Sequence, residues 1–225
     1  RGCGWSDARG WSIGHPGPMV RYRELPLELR GRAFTTDEAR TAGLSRSRTR
    51  ARDLEAPYRG VRSPISSGVR DRCAAYAVRM PETQHFSHTT AALLLGLPLP
   101  PAFAWEGGIH VTSVGGRGPR VRGVIGHLAR VAEVSTIDGL RVSSALSTWC
   151  ALAAILGTDD LVVVADALVR RRAPFATPEE LAEAVAGHRG QRGARRLAAA
   201  LTLVRPGTDS PRETRLRLRI VGAGL

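Results

Sequence analysis

Arginine occupies every second position from residue 46 to residue 52, and serine, threonine or alanine fills the positions between. A guanidinium is a planar fork of N–H donors that binds a phosphate or the edge of a guanine in a bidentate way. Two more arginines follow Pro57. The pattern predicts a surface that binds double-stranded DNA. The predicted groove contacts are Ser45, Arg46, Ser47, Arg48, Thr49, Arg50 and Arg52, and the predicted phosphate contacts are Arg59 and Arg62.

Other residues capable of chemistry lack the partners that the chemistry requires. His85 and His88 have the spacing of a metal-binding pair, but no third ligand is evident in the sequence. The glycine-rich residues 115–118 have no lysine and no following helix, which a phosphate loop needs. Ser66 and Ser67 lack the flanking pattern of a nucleophile elbow. We therefore predict no catalytic residues, no metal and no cofactor.

The arginines need a rigid element to present them, and the preceding residues predict the first half of a helix-turn-helix. Thr35 or Thr36 can cap a short helix. Asp37 and Glu38 place negative charge in its first turn, where the helix dipole favours it. Gly43 suits the positive φ at which a chain leaves a helix.

The following residues predict the second half of the motif. Ser45 can cap a basic helix that runs from Arg46 to about Leu54. In such a helix the first and third arginines share one face, and the second and fourth lie roughly opposite. Pro57 ends the helix, and residues 58–62 resemble one arm of a wing. The sequence therefore predicts a winged helix-turn-helix over residues 19–64, while a basic helical hairpin without a ligand is the alternative.

The overall composition favours an anionic partner. The chain has 225 residues, a net charge of +13 and a pI near 11.4. Every one of its basic residues other than histidine is arginine, which is also typical of a GC-rich genome. Three widely spaced cysteines fit a reducing compartment. No apolar run reaches the length of a membrane span, so we predict a cytoplasmic protein without a membrane partner.

The rest of the chain predicts an α+β body. Strands are expected over residues 109–114, 121–128 and 140–142, and helices over 69–80, 87–95, 143–156, 159–171, 177–187 and 193–203. The first two strands are predicted to form a hairpin, across which His110 and His127 face each other. The sequence therefore predicts four segments of the chain. They are a disordered or non-native extension (1–18), the head (19–64), the body (65–205), and a linker with the start of a further domain (206–225).

Several stretches of the body resemble the AbiEi-type antitoxins of actinobacteria. They are FSHTTAALLLGLPLP (86–100), IHVT (109–112), VRGVIGH (121–127), GLRVSSALSTWCALA (139–153) and LVVVADALVRR (161–171). The resemblance implies a winged head, an antitoxin domain and a transcriptional regulator that binds its own promoter. It also implies indirect pairing with a nucleotidyltransferase toxin. The family's arginine and aspartate near residues 147–151 are replaced here by other residues.

Residues 210–225 resemble the first helix of a very-short-patch-repair-type endonuclease domain, with Glu213 at the position of that family's helical glutamate. Cleavage by such an enzyme needs several carboxylates around metal ions, and Glu213 stands alone in this segment. We therefore expect a non-enzymatic DNA-binding regulator. The alternatives are the N-terminal part of such an endonuclease and a protein-binding module with a decayed head.

Overall fold

The computed structural model describes residues 22–64, 68–103, 108–208 and 210–224, and it confirms the α+β prediction. These residues form a head (22–64), a five-stranded sheet and a layer of helices. The predicted extension over residues 1–18 lies outside the described residues. None of the described helices combines the length and the apolar character needed to cross a membrane.

The head is built on a three-stranded antiparallel sheet with the order β1-β3-β2. Its strands are β1 (Phe34–Thr35), β2 (Leu54–Glu55) and β3 (Val61–Pro64). The helix α1 (Thr36–Thr41) begins directly after β1, because the Thr35 side chain and the Glu38 side chain cap each other's backbone N–H groups. This confirms the predicted first helix. Leu29, Phe34 and Ala39 are buried together beneath it.

The body contains a mixed five-stranded sheet with the order β6-β5-β4-β8-β7. Its strands are β4 (Gln84–Phe86), β5 (Ile109–Val114), β6 (Val124–Ala129), β7 (Val134–Ile137) and β8 (Leu140–Ser143). Two helices, α2 (Val69–Ala77) and α3 (His88–Leu94), contact the sheet. Phe86, Ile109 and Val142 are fully buried in the core that they share.

The prediction of a hairpin between β5 and β6 is wrong, because the two strands run parallel. Ile109 pairs with Val124, and the register continues in the same direction to the ends of both strands. The connection of residues 115–123 crosses back over β6 and places Pro119 against Gly126. A Cβ on Gly126 would lie well inside contact distance of the Pro119 carbonyl oxygen. Glycine at this position therefore allows the crossover to lie flat on the strand.

Four further helices form a second layer with its own apolar core. They are α4 (Ala145–Leu152), α5 (Thr158–Leu168), α6 (Pro178–Gly187) and α7 (Ala194–Leu203). Trp149 is fully buried at its centre, and its indole N–H donates to the Leu161 carbonyl at 3.0 Å. α6 begins with a capping box between Thr177 and Glu180, as the sequence predicts.

The last helix, α8 (Pro211–Gly222), packs against α5 around one buried carboxylate. Asp166 is 1% exposed and accepts three hydrogen bonds of 2.8 Å, from the Arg205 backbone N–H, the Thr214 hydroxyl and the Arg217 guanidinium. A buried carboxylate is stable only when its oxygens are paired in this way. The segment that resembles the start of a further domain is thus fixed to the helical layer.

Candidate functional site

The segment that carries the alternating arginines is a compact turn, which we call the basic turn (residues 45–52). It leaves α1 through Gly43, whose φ of +72° is left-handed as predicted. The Ser45 hydroxyl accepts from the Arg48 backbone N–H at 3.2 Å. Only Arg48–Arg50 is helical, as a single 3-10 turn.

The prediction of a helix from Arg46 to Leu54 is therefore wrong, and a second helix of a winged helix-turn-helix is not confirmed. The reason lies in strand pairing. Leu54 and Glu55 form β2 and pair with Pro64 and Ser63 of β3. A helix that continued to residue 54 would remove Leu54 from this pairing. The hairpin between β2 and β3 is present and turns at Gly60, with φ of +76°.

Arg48 holds the basic turn in place instead of facing outward. Its guanidinium binds both carboxylate oxygens of Asp53 at 2.9 and 2.7 Å, and only 7% of its side chain is exposed. Its Nε–H donates to the Arg23 carbonyl, and the guanidinium lies 5.6 Å from the centre of the Tyr22 ring. This bidentate pairing leaves Arg48 unavailable for a groove contact.

Four more of the predicted contact residues also form hydrogen bonds within the head. Thr49 is buried and its hydroxyl donates to the Arg46 carbonyl at 3.0 Å. Arg62, on β3, donates through Nε to the Thr49 carbonyl. The hydroxyls of Ser45 and Ser47 are hydrogen-bonded to each other at 2.9 Å. The hydroxyls of Ser45, Ser47 and Thr49 and the guanidinium of Arg62 therefore already form hydrogen bonds within the head.

The remaining predicted contacts are exposed arginines. Arg46, Arg50 and Arg52 project from the basic turn, and Arg59 lies at the tip of the hairpin. No ion pair involves these four guanidiniums within the described ranges. The crossover of residues 115–123, with three further exposed arginines, approaches the head where Gly123 meets the Tyr58 ring.

A second cluster of functional groups lies on the body sheet, where three histidines from three elements meet. His88 begins α3, His110 lies on β5 and His127 lies on β6. The register pairs Thr112 with His127, so His110 and His127 lie on the same face of the sheet. One ring nitrogen from each histidine lies within 4.8 Å of the other two.

The contacts within this histidine cluster are close. The Nδ1 atom of His110 and the Nε2 atom of His127 are 2.9 Å apart. The His88 ring stacks on the His127 ring, with centroids 3.7 Å apart and planes inclined by 19°. The prediction that His110 and His127 face each other is confirmed, although the strands are parallel. His85, which has metal-pair spacing with His88 in the sequence, is not part of the cluster.

Hydrogen bonds to neighbouring serine and threonine side chains hold His88 and His110 in place. The His88 Nδ1 atom is 3.0 Å from the Ser87 hydroxyl, which accepts from the Thr112 hydroxyl at 2.7 Å. The His110 backbone N–H donates to the Thr90 hydroxyl at 2.8 Å. His88 has a φ of +50°, which is uncommon for a residue with a side chain. Such strain is retained where surrounding structure enforces it, and it is concentrated at functional sites.

The environment keeps these imidazoles neutral. Burial, followed by the nearby charge of His127 and His110, lowers the pKa of His88 to about 3. Burial and His127 lower the pKa of His110 to about 4. Burial also lowers the pKa of His127. A neutral imidazole retains a nitrogen lone pair that accepts a hydrogen bond or binds a metal.

The cluster borders a cleft of about 1060 Å³ between the sheet and the helical layer. His88 and His127 line the cleft on one side, and Cys150 of α4 and Glu183 of α6 line it on the other. Burial, with the charge of Glu133, raises the pKa of Cys150 to about 11. The thiol is therefore protonated at neutral pH and is a weak nucleophile.

Sequence patterns alone did not reveal this cluster. The three histidines are 22 and 17 residues apart, so no short motif joins them. The informative signal was the pair of histidines at similar places in two neighbouring strands. The structure shows that both of them lie beside His88 in the first turn of α3.

Comparisons of the chain with protein-family models, with curated proteins and with solved structures found no match.

Proposed function

We propose that this protein binds double-stranded DNA through the basic turn. One observation carries the proposal: Arg46, Arg50 and Arg52 are exposed, close in sequence and without an acidic partner on the described residues. Uncompensated guanidiniums on one short segment produce a local positive potential that attracts phosphate.

The distribution of acids in the head supports this assignment. Other arginines of the head are neutralised locally: Arg30 pairs with Glu24, Arg32 with Glu38, and Arg40 with Asp37. The basic turn has Asp53 nearby, but that carboxylate is bound by Arg48. Three of the exposed arginines that form no ion pair within the described head therefore lie on the turn, and Arg23 and Arg59 lie outside it.

The turn is also well ordered by its own bonds, which favours a binding surface over a loosely solvated loop. Arg48 ties it to Asp53, and Arg62 ties its centre to β3. A rigid presentation lowers the entropy lost when the exposed arginines become fixed on a ligand. We infer that the turn and the hairpin tip at Arg59 together contact the phosphate backbone of the DNA. The guanidinium groups that reach the groove would contact base edges.

The resemblance to AbiEi-type antitoxins supplies a biological setting for this proposal. In that setting the chain is a transcriptional regulator that binds its own promoter. The DNA contacts would come from a turn and a hairpin, since a long recognition helix is not present in the described head. The proposal predicts a preference for the promoter duplex over unrelated duplexes.

The experiment is a fluorescence anisotropy titration of a labelled promoter duplex at several salt concentrations. Each neutralised phosphate contributes about −0.9 to the slope of log K against log salt. Three or four arginine contacts therefore predict a slope between about −2.5 and −4. A slope near zero, or no binding at low salt, would contradict the proposal. Equal binding to unrelated duplexes would reject the regulatory role and retain the DNA binding.

A further inference from the structure

We propose that His88, His110 and His127 form a binding site for one divalent first-row transition metal ion, with a coordination position open to the cleft. This inference does not depend on the proposed DNA binding, since the histidine cluster and the basic turn share no residue.

The number and type of donors fit such an ion. Imidazole nitrogens suit zinc, cobalt, nickel and copper, whereas magnesium and calcium prefer oxygen ligands. Three protein ligands with a fourth position open is the arrangement of catalytic zinc sites. His88 and His127 line the cleft, so a small molecule or water can reach that position.

The distances also fit. Zinc–nitrogen bonds of 2.0–2.1 Å in a tetrahedral site place two ligand nitrogens about 3.3 Å apart. The Nδ1 atom of His110 and the Nε2 atom of His127 already face each other at 2.9 Å. All three donors lie within 4.8 Å of one another, so closure around an ion needs shifts of about 1.5 Å at most. Side-chain rotation of His88 away from its stack on His127 supplies such a shift.

The Ser87 hydroxyl behind the cluster fits the tautomer of His88 that a metal requires. When His88 donates its Nδ1–H to the Ser87 hydroxyl, its Nε2 lone pair is free for the metal. Metal-binding histidines almost always have a partner of this kind on the second ring nitrogen. Thr112 fixes Ser87 in turn, and Thr90 fixes the backbone of His110.

The competing explanation is a purely structural stack, in which one proton between His110 and His127 links neutral rings. That stack would need no ion, and its residues would matter only for folding. The two explanations differ in one measurable property, which is stoichiometric metal binding that depends on all three histidines.

The experiment uses the full chain stripped with a chelator and then titrated with Zn²⁺ by calorimetry and with Co²⁺ by visible absorption. The variants are His88→Gln, His110→Gln and His127→Gln, because glutamine keeps much of the volume of histidine. His188→Gln is the matched control, since His188 lines the same cleft outside the cluster. Circular dichroism confirms that each variant is folded.

The proposal predicts one Zn²⁺ per chain and a tetrahedral Co²⁺ spectrum in the wild type. Each cluster variant should weaken binding by about 10-fold or more, and His188→Gln should not change it. Absence of binding in the wild type, or binding that survives all three substitutions, would overturn the proposal. If a variant fails to fold, ¹⁵N chemical shifts of the wild-type imidazoles decide the question, because Zn²⁺ must shift a ring nitrogen of each of the three histidines.

Discussion

Replacing Arg46, Arg50 and Arg52 together by serine should reduce the affinity for the promoter duplex by about 100-fold or more at low salt. Each substitution removes one exposed guanidinium that has no acidic partner in the described head. Each lost phosphate contact should also make the salt slope less negative by about 1, so the triple variant should lose about 3. Anisotropy titrations across a salt series measure both quantities.

The control is a triple variant that removes the same charge elsewhere. Arg189, Arg192 and Arg195 are exposed near the start of α7, and their replacement by serine lowers the net charge equally. This control should retain most of the wild-type affinity. If both triple variants lose affinity to the same extent, binding reflects total charge, and the basic turn is not a specific site.

Replacing Gly126 by alanine should destabilise the protein by about 2–3 kcal/mol. The new Cβ would collide with the Pro119 carbonyl oxygen and lie 3.1 Å from Pro119 Cδ. The collision is with backbone, which cannot rotate away, so either the crossover or β6 must move. Because Gly126 precedes His127, the same change should also disturb the histidine cluster. Urea unfolding of the variant and the wild type measures the difference in the free energy of unfolding.

Gly118→Ala is the matched control for this prediction. Gly118 lies in the same crossover and has no positive φ, and its Cβ would lie 3.5 Å from the nearest atom, which is an ordinary contact. Its substitution should change the free energy of unfolding by less than about 1 kcal/mol. A tolerated Gly126→Ala, with unfolding like that of the control, would show that the crossover does not pack closely on β6.

The sequence predicted those parts of the head that local chemistry determines. Thr35 and Glu38 form a capping box within four residues. Gly43 adopts a left-handed backbone conformation, which glycine reaches without strain because it has no Cβ atom. Such features depend on neighbours in the chain, so a pattern reveals them. An apolar ring alone does not determine burial, since Trp149 is fully buried and Phe175 is 39% exposed.

The errors arose where distant residues decide the structure. Residues 46–54 have the caps and the composition of a helix, but pairing of Leu54 with Pro64 and the bond of Arg48 to Asp53 hold the segment in a turn. Tertiary contacts override helix propensity in such cases. The sequence identified an exposed basic segment, but not which arginines support the turn and which face solvent.

The direction of β6 was also predicted wrongly. The glycine-rich loop between the two strands suggested a hairpin, whereas the connection crosses β6 and packs Pro119 on Gly126. This reversal of direction determines which residues of β6 lie beside β5. In the observed register His127 pairs with Thr112, which puts His127 on the same face of the sheet as His110.

Amide hydrogen exchange of the wild-type protein, with and without the promoter duplex, locates the DNA-binding surface along the chain. We expect slower exchange on DNA binding in residues 45–52 and at the hairpin tip near Arg59, with little change in α6 and α7. Protection confined to the body, or an unchanged basic turn in a saturated complex, would contradict the assignment of DNA binding to the exposed arginines of the head.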